Sequence, residues 1–358
     1  MTRPLVKSLD AGALSGNCEY LREVCGGARL MAVVKADAYG HGLAAAARAL
    51  GAADGFAVAC VGEGVALRRA GVSHRILVLQ GCRDAREYGV AREHELALVV
   101  HRERQIEWSR DAGGGVELWI KFDTGMHRLG FPASAHARIV PAVLDIGGLP
   151  SPPVLMSHLA CADDADAGAD RRQIEAFDEI CSHYREHNLP ASLANSAAAL
   201  RLPETHRDWV RAGIALYGAA PVHCDERHRA RLKPAMRLTA PVIAVREFNK
   251  GDRIGYGGDY VCRKPMRAAI VAAGYGDGYP RHAESGTPVW IAGARRALAG
   301  RVSMDMLTVD VGGADVEAGD AAELWGPNLP VTEVAAHCGT IAYELLCGVG
   351  EKSPESTI

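Results

Sequence analysis

Apolar and polar positions alternate with a strand–helix rhythm from residue 31 to about residue 218. Short apolar runs are separated by longer amphipathic segments of good helix formers, such as GLAAAARALG and DRRQIEAFDEICSHYREH. The runs are MAVVKA (31–36), GFAVAC (55–60), RILVLQ (75–80), ELALVV (95–100), VELWIKFD (116–123), VLMSHLA (154–160), ASLANS (191–196) and VRAGIALYG (210–218). Eight strand–helix units in about 220 residues predict a closed (β/α)₈ barrel of the TIM type, with an open doubly wound sheet as the alternative.

The pattern changes after residue 228. Segments rich in Val, Thr and Gly follow, with frequent turn signals, among them LTAPVIAVREF, NKGDRIGYGGD and TPVWIAGARRALAG. The sequence therefore predicts an α/β protein of two domains, a barrel over residues 1–228 and a smaller, mostly β domain over residues 229–358. The closing sequence GVGEKSPESTI (348–358) is expected to form a frayed tail.

Composition excludes several classes of protein. Hydrophobic residues make up 48% of the 358 residues and charged residues 23%, which is enough apolar material for a full core. The net charge of -3 and the absence of a basic block argue against nucleic acid as a partner. Ten scattered cysteines without metal-ligand spacing indicate reduced thiols and no metal site. With no apolar run of the roughly 18 residues that a membrane span needs, we expect a cytoplasmic protein with no membrane partner.

A lysine stands near the end of the first apolar run. Lys35 follows Val33 and Val34 and precedes the sequence ADAYGHG. A lysine at a strand end can simply extend its ammonium group to solvent. At the carboxyl mouth of a barrel the same side chain would be desolvated, its pKa would fall, and its neutral amine could form a Schiff base. Taken alone, the residue leaves both interpretations open.

Nine motifs, in one order along the chain, resolve this choice. They are AVVKADAYGHG (32–42), KFDTGMHRLG (121–130), MSHLACAD (156–163), LANSAAAL (193–200), VRAGIALYGA (210–219), IGYGGDY (254–260), GYGDGYPRH (274–282), AGRVSMDMLTVD (299–310) and TIAYELL (340–346). By these motifs the chain resembles the alanine racemase family from about residue 5 to residue 347. The family combines a barrel with a β domain, which agrees with the architecture predicted above.

The resemblance implies a chemistry and a pair of bases. Pyridoxal 5′-phosphate would be bound to Lys35 as an internal aldimine, and alanine would be racemised through an external aldimine. Lys35 would be the base for the D enantiomer and Tyr256 the base for the L enantiomer. In the family this tyrosine comes from the partner subunit, so we expect a homodimer with shared active sites and alanine as the small-molecule substrate.

The resemblance also assigns the remaining site residues. The further cofactor contacts would be Tyr39, His158, Ser196, Arg211, Gly213, Ile214 and Tyr343. The substrate end would be formed by Arg128, Tyr275, Met304 and Asp305. Lys121 matches a lysine that many family members carry in carbamylated form, where its negative charge orients the substrate-binding arginine.

Arg211 lies within an apolar strand, where a guanidinium group needs an acceptor. An internal ion pair would satisfy it. The resemblance instead implies that Arg211 faces the pyridine nitrogen of the cofactor. A group that stays protonated does not readily hand that nitrogen a proton, which weakens the ring as an electron sink and favours quick reprotonation of the substrate.

The same residues bear on three alternative functions. A racemase of broader specificity, acting on serine or lysine, would use the same machinery. A decarboxylase of the same barrel type is disfavoured because no segment supplies its characteristic cysteine and diamine-binding residues. A single-barrel carrier of pyridoxal phosphate would keep Lys35 but would need neither the β domain nor Tyr256. The sequence departs from the family pattern at its end, where GVGEKSPESTI replaces a basic, proline-containing tail.

Overall fold

A computed structural model of the chain describes residues 4–164, 168–349 and 355–357. Eight parallel strands close into a barrel. They are Arg29–Val33, Gly55–Val58, Arg75–Val78, Ala97–Val100, Leu118–Asp123, Val154–Met156, Ala191–Ser192 and Trp209–Ala212. Each strand pairs in parallel with the next, and the eighth strand pairs with the first. The predicted (β/α)₈ barrel is therefore confirmed, and the alternative prediction of an open doubly wound sheet is wrong. A short strand, Phe131–Pro132, extends the end of the fifth strand.

Helices cover the outside of the barrel. They are Ala11–Cys25, Leu43–Ala49, Val61–Arg69, Ala85–Glu93, Glu103–Asp111, His136–Leu144, Gly168–His183, Ser196–Arg201 and Glu226–Arg231, with a short helical turn at Lys35–Gly40. Several begin at side-chain caps that satisfy free N–H groups of the first turn. The Asp10 carboxylate accepts from Ala13 N, and the Asn195 amide oxygen accepts from Ala198 N.

The amino-terminal end of the barrel is sealed. Trp209 begins the eighth strand, is almost fully buried, and lies 5.7 Å from Trp119 between ring centroids. The guanidinium groups of Arg29 and Arg75 lie over the Trp209 ring at 4.3 and 4.9 Å from its centroid. This end is therefore packed with side chains, which leaves the carboxyl end as the mouth where barrel enzymes place their chemistry.

The second domain is mostly β, as predicted. Its main sheet contains Val6–Leu9, Met236–Phe248, Met266–Val271, Pro288–Ile291, Ala294–Leu298, Leu307–Asp310, Ala321–Trp325 and Glu355–Thr357. A small hairpin joins Arg253–Ile254 to Tyr260–Val261, and two helices, Val331–His337 and Ala342–Gly348, complete the domain. The helix Ala342–Gly348 packs back against the Lys35–Gly40 turn at the barrel mouth.

Both ends of the chain meet in this second sheet. Val6–Leu9 pairs antiparallel with the start of Met236–Phe248, so the first strand of the chain joins a sheet formed otherwise by the carboxyl-terminal third. The tail was expected to fray, but Glu355–Thr357 pairs in parallel with residues 7–9. The division of the chain at residue 228 stays a prediction, and the strand at residues 6–9 shows that the sheet of the second domain also recruits the amino terminus.

Candidate active site

Most of the residues expected to bind the cofactor lie after the ends of barrel strands. Lys35 follows the first strand, His158 the sixth, Ser196 the seventh and Gly213 the eighth. The predicted apolar run extended to residue 36, whereas the first strand ends at Val33, so Lys35 opens the following turn instead of lying within the strand. Because the carboxyl ends of parallel strands meet at one rim, these residues face a common mouth.

The turn after Lys35 has an unusual handedness. Ala36, Asp37, Ala38 and Tyr39 all adopt left-handed backbone angles, with φ between 52° and 54°. Left-handed geometry costs about 1–2 kcal/mol for each residue that carries a Cβ. Four consecutive residues of this kind persist only where the surroundings fix them.

Side-chain oxygens anchor the start of this turn. The Glu63 carboxylate accepts from Ala36 N at 2.8 Å, and the Asp37 carboxylate accepts from Leu43 N at 2.6 Å. The first bond ties the turn to the neighbouring barrel unit, and the second ties it to the helix that follows. Both acceptors are carboxylates, whose hydrogen bonds are stronger than those between neutral groups.

Two side-chain nitrogen donors, one from a lysine and one from a histidine, bind the backbone at the end of the same turn. Lys7 Nζ, from the first strand of the second sheet, donates to Gly40 O at 2.8 Å, and Lys7 is only 2% exposed. His41 Nδ1 lies 2.9 Å from both Ala38 O and Tyr39 O, so it carries the donating hydrogen. Complete burial lowers the pKa of His41 to about 4, which keeps the ring neutral. The turn is thus fixed from both domains.

The turn places Tyr39 against a cradle of small residues. Tyr39 is buried, its ring centroid lies 4.8 Å from that of Tyr217, and burial raises its pKa. A Cβ at Gly213 would lie 2.5 Å from Tyr39 Oη, so a side chain there would force the Tyr39 ring to shift. Ser196 Oγ accepts from Gly213 N at 2.8 Å, which leaves its own hydroxyl hydrogen able to donate elsewhere. This concentration of donors next to a position without a side chain fits a phosphate group.

Two further predicted contacts border this cradle. Ile214 opens the 3₁₀ turn Ile214–Tyr217 directly after Gly213. The Tyr343 ring, from helix Ala342–Gly348 of the second domain, lies 5.8 Å from the Tyr39 ring. Burial also raises the pKa of Tyr343, so its phenol stays protonated and able to donate. The second domain therefore completes the cradle within the same chain.

Arg211 is held by neutral acceptors. One guanidinium nitrogen donates to the Ser192 hydroxyl, and the other lies 2.7 Å from Ser157 O, 3.2 Å from Leu193 O and 3.1 Å from His158 Nδ1. Arg211 is 3% exposed, and no carboxylate of the described chain lies within salt-bridge distance of it. The internal ion pair considered above is absent from the described residues, so the buried charge remains uncompensated.

This cation determines the state of its neighbour. Burial lowers the pKa of Arg211 to about 9, which still leaves it protonated at neutral pH. Burial and the adjacent Arg211 charge hold the pKa of His158 well below its usual range. His158 is therefore neutral, and because Nδ1 accepts from Arg211, its ring hydrogen resides on Nε2.

Two lysines near the mouth share an electropositive environment. Burial, reinforced by Arg211 and Arg128, lowers the pKa of Lys121 to about 7. Burial and the Arg128 charge also lower the pKa of Lys35, against smaller opposing effects of Cys347 and Glu63. Both amines are thus more readily neutral than a lysine in water, and a neutral amine is the form that acts as a nucleophile.

The residues expected from the second domain lie on its surface. Tyr256 is 67% exposed, Met304 52% and Tyr275 36%. Tyr275 and Met304 are brought together, because Gly276 N donates to Met304 O at 2.8 Å. Asp305 follows Met304 and is also exposed. Within the described residues, neither a hydrogen bond nor a ring contact joins Tyr256 to the barrel, so one chain does not bring Tyr256 to Lys35.

Sequence reasoning missed several residues that shape the mouth. Glu63 binds the Lys35 turn, Lys7 binds its far end, and Tyr217 donates from its hydroxyl to Val33 O at 3.0 Å. Tyr217 lies in the quoted motif VRAGIALYGA, whose final tyrosine was a usable signal. Lys7 gave none, because its contact spans two domains.

Other kinds of site receive no support from the described part of the chain. Its helices include none with both the length and the apolar composition to cross a bilayer. It also contains no group of three or more His, Cys, Asp or Glu side chains able to hold a metal ion.

Comparison with known proteins gives a consistent result. The profile for the N-terminal domain of alanine racemase matches residues 9–221, and that for the C-terminal domain matches residues 235–357. An alanine racemase of Thioalkalivibrio sulfidiphilus is 47% identical over 360 residues, covering 98% of both chains.

Solved structures agree with the sequence matches. The biosynthetic alanine racemase of Pseudomonas aeruginosa superposes with a TM-score of 0.91 at 42% identity, covering 100% of both chains. Alanine racemase of Bartonella henselae with covalently bound pyridoxal phosphate gives a TM-score of 0.88 at 27% identity, covering 99% of both chains. With both domains matched and the whole length covered, this chain belongs to the alanine racemase family.

Proposed function

We propose that this chain is a pyridoxal 5′-phosphate-dependent enzyme that interconverts L-alanine and D-alanine by moving the α-proton between Lys35 and Tyr256. The observation that carries the proposal is the barrel mouth itself. Three features lie at one rim: a lysine of lowered pKa, a cradle in which a Cβ at Gly213 would collide with the Tyr39 hydroxyl, and a buried arginine without a carboxylate partner among the described residues. Membership of the family and the Bartonella relative with covalently bound pyridoxal phosphate give independent support.

The residues present fit this cofactor. Lys35 would hold it through its amine, and the hydroxyls of Tyr39, Ser196 and Tyr343 together with the backbone at Gly213 and Ile214 would hold its phosphate. Arg211 would face the pyridine nitrogen, with His158 supporting the guanidinium. When bound, pyridoxal phosphate supplies an electron sink that acidifies the α-hydrogen of an amino acid.

Inversion of configuration requires two bases on opposite faces, because a single base that returns its proton to the same face leaves the enantiomer unchanged. Lys35 takes or gives the proton on one face. Its lowered pKa keeps a usable fraction of neutral amine. Tyr256 acts from the other face. In the assembled site its phenol oxygen would face the cationic mouth that carries Arg211 and Arg128.

A second copy of the chain would bring Tyr256 to Lys35. Tyr256 is exposed and has no hydrogen bond or ring contact to a described residue of its own barrel. Tyr275, Met304 and Asp305 are exposed on the same domain. A head-to-tail homodimer would bury these side chains over the partner's barrel mouth, so that each site uses one chain's Lys35 and the other chain's Tyr256. The symmetry of a homodimer then gives two equivalent shared sites.

The substrate-binding end of the site is assigned from the positive charge of Arg128. Arg128 is exposed at the mouth, and its planar fork suits the two oxygens of a substrate carboxylate. Lys121, buried beside Arg128 and with a pKa of about 7, is suited to carbamylation. Its neutral amine would attack carbon dioxide, a nitrogen–carbon bond would form, and one proton would leave to water. The resulting carbamate would carry a negative charge that holds Arg128 in place.

The direct test follows the optical activity of purified, cofactor-loaded protein given L-alanine or D-alanine, with L-serine and L-lysine in parallel. We expect both alanine enantiomers to converge on a near-equal mixture, faster than serine or lysine changes. If serine or lysine were turned over faster than alanine, that amino acid would be the preferred substrate and the assignment of alanine would be wrong. Bound cofactor without turnover of any of the four would refute racemisation and favour a cofactor carrier.

A further inference from the structure

The Glu63 carboxylate connects the ends of two neighbouring barrel strands. Its Oε1 accepts from Ala36 N at 2.8 Å, and its Oε2 accepts from Ala59 N at 2.6 Å. Ala36 lies three residues beyond the first strand, and Ala59 directly follows the second. Glu63 itself lies on the first turn of helix Val61–Arg69. One side chain therefore fixes two backbone donors at the rim where the site is built.

The Ala36 bond acts at the peptide that follows Lys35. The N–H of Ala36 belongs to the same planar unit as the carbonyl of Lys35, so fixing it limits rotation on the carboxyl side of the Lys35 Cα. Ala36 is also the first of the four left-handed residues that lead to Tyr39. The direction of the Lys35 side chain and the position of the Tyr39 hydroxyl therefore depend on the same peptide.

Glu63 also carries a negative charge that acts on Lys35. Burial and Arg128 lower the pKa of Lys35, and Glu63 is one of the groups that oppose this lowering. Arg211 adds further positive charge, which acts on Lys121 and His158. Removing the Glu63 charge would thus shift Lys35 further toward its neutral form.

We propose that Glu63 is a positioning residue for Lys35. The Glu63 carboxylate fixes the left-handed turn so that Lys35 Nζ and Tyr39 Oη can bind the same cofactor molecule. This inference rests on the proposed function and adds to it a residue that touches neither cofactor nor substrate. It predicts that loss of Glu63 weakens cofactor binding and slows turnover without changing how substrate is recognised.

A purely structural role is the competing explanation, and the chain offers a matched control for it. Glu87 lies on the first turn of helix Ala85–Glu93 and reaches back to Arg83 N at 2.8 Å, as Glu63 reaches back to Ala59 N. Both bonds join a glutamate to the backbone four residues earlier. Among the described residues Glu87 has no bond to the Lys35 turn, so Glu87→Gln weakens a helix-start contact and the ion pair with the Arg83 side chain but leaves that turn untouched.

The experiment compares Glu63→Gln and Glu63→Asp with Glu87→Gln. Glutamine keeps the shape but can accept only one of the two N–H groups, and the shorter aspartate reaches only one. For Glu63→Gln we expect the dissociation constant of pyridoxal phosphate, titrated by absorbance, to rise about 10-fold, in line with the loss of a charged hydrogen bond. We expect kcat to fall about 10-fold with KM for alanine within about twofold of the wild type.

A second measurement reads the electrostatic effect without turnover. The pH titration of the absorbance of the Lys35-bound cofactor should move to lower pH in Glu63→Gln, because a nearby negative charge has been removed. Glu63→Asp keeps the charge and should restore most of this titration, whereas Glu87→Gln should leave it unchanged. Thermal unfolding of Glu63→Gln and Glu87→Gln should shift by similar amounts.

Two results would overturn the proposal. If Glu63→Gln and Glu63→Asp match Glu87→Gln in cofactor affinity, kcat and the pH titration, Glu63 only starts a helix. If the wild type itself neither binds pyridoxal phosphate nor racemises alanine, the proposed function fails and this inference fails with it. The two failures are distinguishable because the second appears in the unmodified protein.

Discussion

The barrel mouth and the exposed turns of the second domain are built in opposite ways. At the mouth, Arg211 is 3% exposed and surrounded by four acceptors, and each end of the left-handed turn is bound by a side chain. On the second domain, Tyr256 is 67% exposed and Met304 52%. The first half of the candidate site is rigid within one chain, and the second half presents large side chains with little to contact. This contrast supports a site that is completed only when two copies meet.

The largest effect is expected at the rigid half. Lys35→Ala should abolish covalent cofactor binding and reduce racemisation by roughly 10⁴-fold or more, because it removes both the anchor and one base. Absorbance of the bound cofactor and polarimetry with either enantiomer measure the two losses. Lys250→Ala, in an exposed turn, is the control and should change neither. A Lys35→Ala protein that retained bound-cofactor absorbance would remove Lys35 from the site.

A substitution in the exposed half of the site should slow turnover without affecting cofactor binding. Tyr256→Phe keeps the ring but loses the proton-carrying oxygen, so racemisation should fall by roughly 10²- to 10⁴-fold while the cofactor absorbance is unchanged. The matched control is Tyr260→Phe in the same hairpin, since the Tyr260 hydroxyl donates to Met266 Sδ at 3.5 Å and has no other hydrogen bond among the described residues. It should stay within about twofold of the wild type. Racemisation at the normal rate in Tyr256→Phe would contradict the two-base mechanism.

Mixing the two inactive variants tests whether the halves come from different chains. In a mixed dimer of Lys35→Ala and Tyr256→Phe, one site carries both changes and the other carries neither. Random pairing should therefore restore about a quarter of the wild-type activity at equal ratio. Activity that stayed at the level of the separate variants after unfolding and refolding together would show that each chain uses its own Tyr256.

The smallest effect is expected on stability, through His41. Its pKa is about 4 in the folded chain, below the usual 6.5, so the unfolded chain binds a proton that the folded chain does not between these values. Stability should therefore fall as pH falls, by about 2 kcal/mol between pH 7 and pH 5. Denaturant unfolding at both pH values measures this, and His41→Asn should reduce the difference. An unchanged pH dependence in that variant would assign the effect to other groups.

The barrel could be predicted from the sequence because its signals are local. Each strand is a short apolar run bounded by helix-forming segments, and all eight runs correspond to observed strands. The same motifs located the candidate residues at the strand ends. The motifs could not predict the left-handed backbone of the turn after Lys35. Ala36, Asp37 and Ala38 all adopt it, although side chains with a Cβ disfavour these angles.

The unpredicted features depend on contacts between distant parts of the chain. The left-handed turn is fixed by Glu63 from the next barrel unit and by Lys7 from the other domain. The strand Val6–Leu9 finds its antiparallel partner more than two hundred residues later, at Met236 and beyond. Neither the contacts that fix the turn nor this strand pairing leaves a periodic pattern in the sequence. The roles assigned to Tyr256 and Arg211 remain predictions from family resemblance.

The position of the strand Val6–Leu9 also has a consequence for biosynthesis. This strand leaves the ribosome before the barrel does, but its partner at Met236 is translated only after the entire barrel. The nascent chain must therefore carry an unpaired edge through most of its elongation, and the pairing that closes it has a very high contact order. Because Lys7 belongs to this strand, the anchor at Gly40 also forms late. A barrel still tethered to the ribosome would thus hold its Lys35 turn less firmly than the finished protein does.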